Sequence, residues 1–270
     1  MKKWWIGSQA LAALFACSLG SYAQAPQVTG IGHVAYRVSD LDKEVAFLQK
    51  LGFEESFPII NAGKTVDIFV KINDRSFIEL YPQTDAAQPL GWMHVCYESD
   101  ALSALNDLYA AHGLKPSAVA KAGAGNLVFS LKDPEGRVTE FTQYMPGSRH
   151  TLDRGQHLGA HRVSQELQGF ELPSPDLAAA KQFYTAGLAF SAQDAKAGLR
   201  VRITSQAYPA ILLRAAKAGD QPQLLFRVPS VAAATSQLNA LGLTVKQQNR
   251  RVSVTDPDGN IFTFMEPRSR

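Results

Sequence analysis

Gly32-His33-Val34-Ala35-Tyr36-Arg37-Val38-Ser39-Asp40-Leu41 passes within ten residues from the apolar pattern of a strand into a helix that begins at about Asp40. The helix that follows carries one buried face through Leu41, Val45, Leu48 and Leu51, and it closes on Gly52, a residue suited to a left-handed helix stop. The same unit of strand, helix, glycine and further strands recurs three more times. Its helices are expected over residues 40–50, 100–112, 176–186 and 231–241, ended by Gly52, Gly113, Gly187 and Gly242. The third has its apolar face through Leu177, Ala180, Phe183 and Tyr184. Strand-like runs lie at 66–72, 77–81, 126–131, 138–144, 199–203, 210–213 and 261–265. Two turns, Asp133-Pro134-Glu135-Gly136 and Asp256-Pro257-Asp258-Gly259, each precede a last strand, which makes the second and fourth units equivalent. Four copies of helix plus short strands point to paired modules in an α+β fold.

Within the first two modules a His opens and a Glu closes. His33, Glu79, His94 and Glu140 stand 46, 15 and 46 residues apart, so both modules repeat one His-to-Glu spacing. Alternate strand residues share a face, which groups Ile31, His33, Ala35 and Arg37, Phe77, Glu79 and Tyr81, His94 and Cys96, and Val138, Glu140 and Thr142. Any one of the four could be an ordinary packed residue. All four among Val34, Ile78, Leu80, Val95 and Phe141 would strand two acids in an apolar setting without a cation. Two imidazoles and two carboxylates suit one divalent ion, Ni, Zn, Fe, Mn or Co, with a position left for water or substrate.

The stretch Gly32–Leu41 with Phe47, Leu51-Gly52-Phe53 and the Asp133–Gly136 turn ahead of Glu140 resembles the vicinal oxygen chelate superfamily of glyoxalases, bleomycin resistance proteins and dioxygenases. The resemblance implies two domains, each of two βαβββ modules paired into a half-open barrel. It also implies a metal held by His33, Glu79, His94 and Glu140, as in glyoxalase I, and a small-molecule substrate that chelates the metal through vicinal oxygens. By the same resemblance Arg37 and Gln83 contact substrate and Tyr81 and Tyr144 line the cleft, with Glu140, then Glu79, as catalytic base. The fourth ligand favours a metal-assisted lyase or isomerase. An extradiol Fe(II) dioxygenase using His33, His94 and Glu140 is the alternative, then a non-catalytic binding or resistance protein.

The second half resembles the family too, through Asp176, Phe183-Tyr184 and the Asp256–Gly259 turn, but Gly169, Leu213, Leu224 and Thr263 fall near the four ligand positions. It is expected to be structural, a lid or a surface for a homodimer. The boundaries read as 26–145 for the metal-binding domain, 146–166 for a linker and 167–268 for the second domain. The linker histidines His150, His157 and His161 are expected to be solvated. Since splitting the quartet would leave two ligands per site, module one is expected to pair with module two.

Lys2 and Lys3 before the apolar run from Trp4 to Leu19, ending at Ser21-Tyr22-Ala23, read as a signal peptide over residues 1–23 and a periplasmic or secreted protein. Cys17 after Leu14-Phe15-Ala16 keeps a lipoprotein anchor as the lesser alternative. Cleavage removes two lysines and no acid, taking the formal charge from +3 to +1, which argues against a nucleic-acid partner. Cys96 is then the remaining cysteine, so no intramolecular disulfide is expected, and no later run approaches a transmembrane helix.

Overall fold

The structure, a computed structural model, describes residues 1, 27–204 and 208–266; the expected signal peptide beyond Met1, and Cys17, lie outside the described residues. The first module runs β1 (Val28–Val38), α1 (Leu41–Lys50), β2 (Glu54–Asn61), β3 (Lys64–Lys71) and β4 (Phe77–Pro82). The second runs β5 (Gly91–Ser99), α2 (Leu102–Ala111), β6 (Ala120–Lys121), β7 (Leu127–Lys132) and β8 (Val138–Gln143). After a helical turn α3 (Arg149–Leu152), the third runs β9 (Glu166–Ser174), α4 (Leu177–Gln182), β10 (Ser191–Ala195), β11 (Gly198–Arg202) and β12 (Ala210–Ala215). The fourth runs β13 (Gln223–Arg227), α5 (Val231–Ala240), β14 (Lys246–Gln248), β15 (Arg251–Thr255) and β16 (Ile261–Met265). No helix among the described residues is long and apolar enough to cross a membrane.

All the helices but α2, whose N-cap Ala101 brings no side-chain acceptor, start where side chains satisfy their free amides. Asp40 accepts from Lys43 N at 3.1 Å, Asp176 from Ala178 N and Ala179 N, both at 2.9 Å, and Ser230 from Ala233 N at 3.2 Å. Gly52, Gly113 and Gly242 end three of them at positive φ, as expected. The third departs. Leu188 N bonds Phe183 O at 2.9 Å, so α4 finishes in a π-helical turn (Phe183–Gly187) that holds one extra residue. The left-handed position falls at Ala189, φ +59°, two residues past Gly187 and one residue farther from the N-cap than in α1.

Each half forms one eight-stranded sheet, ordered β2-β3-β4-β1-β5-β8-β7-β6 and β10-β11-β12-β9-β13-β16-β15-β14. The opening strands β1 and β5 pair antiparallel at the centre, and each lies parallel to the last strand of its own module, β4 and β8. Module one therefore pairs with module two, which keeps the quartet in one sheet. The outer faces of both sheets share an apolar core with the helices. Phe53 stacks on Phe226 at 5.4 Å, Phe47 meets Phe262 at 5.5 Å, Trp92 meets Phe170 at 5.4 Å and Tyr97 meets Phe190 at 5.5 Å.

The two Pro-Gly turns fasten the halves reciprocally. Asp258 accepts from Ser39 N at 2.7 Å and from Ser39 Oγ at 2.6 Å, while Glu135 accepts from Ser174 Oγ at 2.5 Å and Arg137 donates to Pro173 O at 2.9 Å. Each turn thus holds the strand-to-helix corner of the other half. At the first corner Glu44 is fully buried beside Asp256, and neither of its oxygens receives a donor. Burial, then the Asp256 charge, push its carboxyl up to about 9.

The connection between the sheets packs against the first half. Val163 N donates to Leu51 O at 2.9 Å, and the buried Lys71 ammonium reaches Asp153 at 2.8 Å. His157 and His161 are exposed, but His150 corrects the expectation of solvated histidines: it is buried in a box of Phe57, Phe69, Phe77 and Tyr144, with ring centroids 4.7–5.0 Å away. Four aromatic rings drawn from β2, β3, β4 and the end of β8 exclude water there. Burial pulls its pKa down to about 3, so the imidazole is neutral.

Candidate metal centre

Two irregularities in the β1–β5 pair aim the histidines. Ile31 pairs with Tyr97 and His33 with Cys96, which leaves Gly32 as an extra residue on β1. Ala35 pairs with His94 and Tyr36 with Trp92, which leaves Met93 extra on β5. Each bulge breaks the alternation. Ile31, expected on the face of His33, instead joins the outer core with Tyr97, and Trp92 does likewise against Tyr36. His33, Ala35, His94 and Cys96 keep the inner face, where Glu79 lies beside Ala35 and Glu140 beside Cys96.

All four sequence-picked ligands converge. His33 Nε2 and His94 Nε2 are 3.1 Å apart. Glu79 Oε2 lies 3.2 Å from the first and 3.3 Å from the second, and Glu140 Oε2 lies 3.3 and 3.7 Å from them. Donor atoms each about 2.1 Å from a shared ion stand roughly 3.0–3.4 Å apart when cis or tetrahedral. Four of the five distances fall in that range. His33, His94 and Glu140 offer donors all within 4.8 Å of one another, and Glu79 Oε2 stands at least as close to both imidazoles.

The donors' own chemistry fits a cation. Glu79 Oε2 is buried with no hydrogen-bond donor, and two facing ring nitrogens cannot both donate into the same gap. Burial disfavours the charged forms of His33 and Glu140, yet their mutual attraction wins. The Glu79 and Glu140 charges raise the His33 pKa, and His33 with His94 lowers that of Glu140. Cys96, on the same face, is pushed the other way by burial and then by Glu140, so it remains a thiol.

The four residues expected to touch substrate part company. Tyr81 is at the centre: its hydroxyl donates to Glu79 Oε1 at 3.0 Å and its ring is 6.3 Å from that of His94. Tyr144 is stacked on His150 at 4.7 Å, with its hydroxyl donating to Arg75 O at 3.2 Å. Arg37 donates to Pro89 O at 3.1 Å, and Gln83 Nε2 donates to Gln88 O at 2.7 Å. Both brace the chain between β4 and β5.

Two residues near the quartet escaped the sequence reading. Asp67 is buried on β3, on the face shared with Phe69, which pairs with Glu79; burial and then the Glu79 charge push its carboxyl up to about 7. An acid within the apolar alternation of residues 66–72 was the available signal. His150 gave none, because its aromatic box forms from distant strands.

In the second half the paired registers identify the equivalent positions. Gly169 and Thr263 match His33 and Glu140 as expected, but Leu212 and Gln223, each one residue earlier than expected, match Glu79 and His94. The displaced Leu213 and Leu224 face the core, since one residue's slip turns a strand over. Thr263 Oγ1 donates to Gln223 Oε1 at 2.9 Å, so two of the vacated positions bond each other. Glu266 instead accepts from Val231 N at the start of α5 and pairs with Arg250.

Among solved structures, the 2,3-dioxygenase LapB from Pseudomonas sp. KL28 superposes with a TM-score of 0.70 at 16% identity, covering 91% of this chain and 94% of its own. An Mn(II)-bound glyoxalase from Novosphingobium aromaticivorans gives 0.68 at 19% identity, over 89% and 83%. A catechol 2,3-dioxygenase gives 0.68 at 15%, over 90% and 89%. At such identities the likeness is one of fold. No curated protein matches the sequence. The sequence model of the Glyoxalase/Bleomycin resistance protein/Dioxygenase superfamily matches residues 30–141, the sheet that holds the quartet. Residues 30–141 therefore form a domain of that superfamily.

Proposed function

We propose that the first half is a metal-dependent enzyme that moves a proton on a small molecule with vicinal oxygens, as a lyase or isomerase. The observation that carries this reading is Glu79 Oε2, orphaned and 3.2 and 3.3 Å from two imidazole nitrogens, which makes a fourth ligand of it. His33, His94, Glu79 and Glu140 would hold the ion, and when bound it would act as a Lewis acid on a substrate carbonyl. Glu140 is the base. Its side chain is 24% exposed against 6% for Glu79, so it is the carboxylate on the open side, placed to accept a proton from carbon. Tyr81 fixes Glu79 by donating to its other oxygen. Export belongs to the same proposal, on the Lys2-Lys3 and Trp4–Leu19 pattern, and N-terminal sequencing of the mature protein tests it.

The test is metal content by mass spectrometry, followed by exchange of carbon-bound hydrogen for deuterium in α-hydroxyketones. About one ion per chain and exchange lost in Glu140→Gln support the reading; exchange undiminished after metal removal refutes it. Extradiol ring cleavage is favoured by one observation, that His33, His94 and Glu140 by themselves make a two-histidine, one-carboxylate group. Oxygen uptake with catechol by the Fe(II)-loaded protein would establish that alternative.

A further inference from the structure

The second half has lost the ligands but not the barrel. Its inner face encloses a cleft of about 710 Å³, the size of a small-molecule site, with Leu199, Leu212, Leu225 and Met265 among its apolar lining. The lining carries Lys196, Arg200, Arg214, Lys217 and Arg251 against one acid, Glu171. Glu171 bonds Arg214 at 2.6 Å and Arg251 at 3.0 Å, and Asp220 takes the other side of Arg214, which leaves the cleft cationic overall.

One side chain in the lining has no structural task. Gln168 is 1% exposed, and neither its Nε2 nor its Oε1 has a hydrogen-bond partner. Leaving a buried amide unpaired costs on the order of 1–3 kcal/mol. Its position explains how it arrives there. Gly169 pairs with Leu225 and Leu167 with Phe226, so Gln168 is the extra residue of a bulge on β9 that repeats the bulge at Gly32. At Gly32 a Cβ would point at the Tyr144 hydroxyl, 3.0 Å away, and Thr142, the register equivalent of Met265, on the inner face. The bulge therefore sends a side chain inward, and in this half it delivers a donor and an acceptor.

We propose that this cleft is a second, metal-free binding site for a small organic anion: a carboxylate with an apolar body, read by Gln168 and drawn in by Lys196 and Lys217. The apolar lining takes the body of the ligand, the basic residues neutralise its charge, and the amide pairs with its polar end. Calorimetric titration of the full-length protein with naphthoate, in the presence of a chelator, tests the site. Saturable one-to-one binding is expected, at least tenfold weaker for the uncharged methyl ester. Gln168→Leu should weaken binding at least tenfold without lowering Tm, because it removes an unpaired amide. Absence of saturable binding, equal affinity for the ester, or a folded Gln168→Leu protein that binds as the wild type does would overturn the proposal. Should that variant not fold, Lys196→Gln with Lys217→Gln decides, since an unchanged affinity there is equally fatal.

Discussion

Glu44→Gln should stabilise the protein, and increasingly so as pH rises. Glu44 is buried against the Asp256 carboxyl, and its pKa is pushed from the ordinary 4.5 to about 9 by burial first and Asp256 second. A carboxyl raised in the folded state contributes its full stability below the unfolded value of 4.5 and loses it as pH climbs toward 9. Each unit of that climb costs about 1.4 kcal/mol. At pH 7 the wild type has traversed roughly 2.5 units, a loss of about 3 kcal/mol, with a similar loss still to come by pH 9. Gln fills the same volume, carries no charge and offers Asp256 an N–H donor, so the variant should gain most of this. Urea unfolding of both proteins at half-unit intervals from pH 6 to 9 measures it. The curves should diverge with rising pH; parallel curves, or a less stable variant at pH 8, would show that the buried carboxyl does not govern this corner.

Other outcomes follow from particular contacts. His94→Ala should reduce bound metal from about one ion per chain to near none by mass spectrometry, and chelation should lower the wild-type Tm while leaving that of the variant unmoved. Tyr81→Phe, which removes the donor to Glu79 Oε1, should weaken metal binding by about 10-fold in competition with a chromogenic chelator. Gly52→Ala should destabilise by about 2 kcal/mol or more, because φ is +85° and a Cβ would stand 2.6 Å from Arg162 Cα. A change below 0.5 kcal/mol, about that of a neutral surface substitution, would contradict that geometry. Phe262→Ala should cost about 3–5 kcal/mol and still give one unfolding transition, since that ring packs on Tyr36 and Phe47 of the other half.

The module order and the quartet were legible because both rest on local signals that repeat: apolar spacing, capping residues, Pro-Gly turns and the recurring 46-residue interval. What failed to show was whatever depends on one residue more or less. The bulges at Gly32 and Met93 reverse the faces of Ile31 and Trp92, and strict alternation has no means of registering an inserted residue. The same blindness put Leu213 and Leu224 where Leu212 and Gln223 belong, and the helix stop expected at Gly187 falls at Ala189, after a π-helical turn. His150 and Asp67 are a different case, since their surroundings are assembled from segments far apart in sequence.

The exchanged turns and the aromatic rings between the sheets leave neither half with a finished surface of its own. The second half needs no metal ligands to finish its neighbour's, because Phe226 and Phe262 complete the packing of Phe53 and Phe47 whatever its inner face carries. Its back is therefore held by its neighbour while its concave front is free of that packing duty. A chain built this way carries a second pocket on a scaffold that its partner domain obliges it to keep.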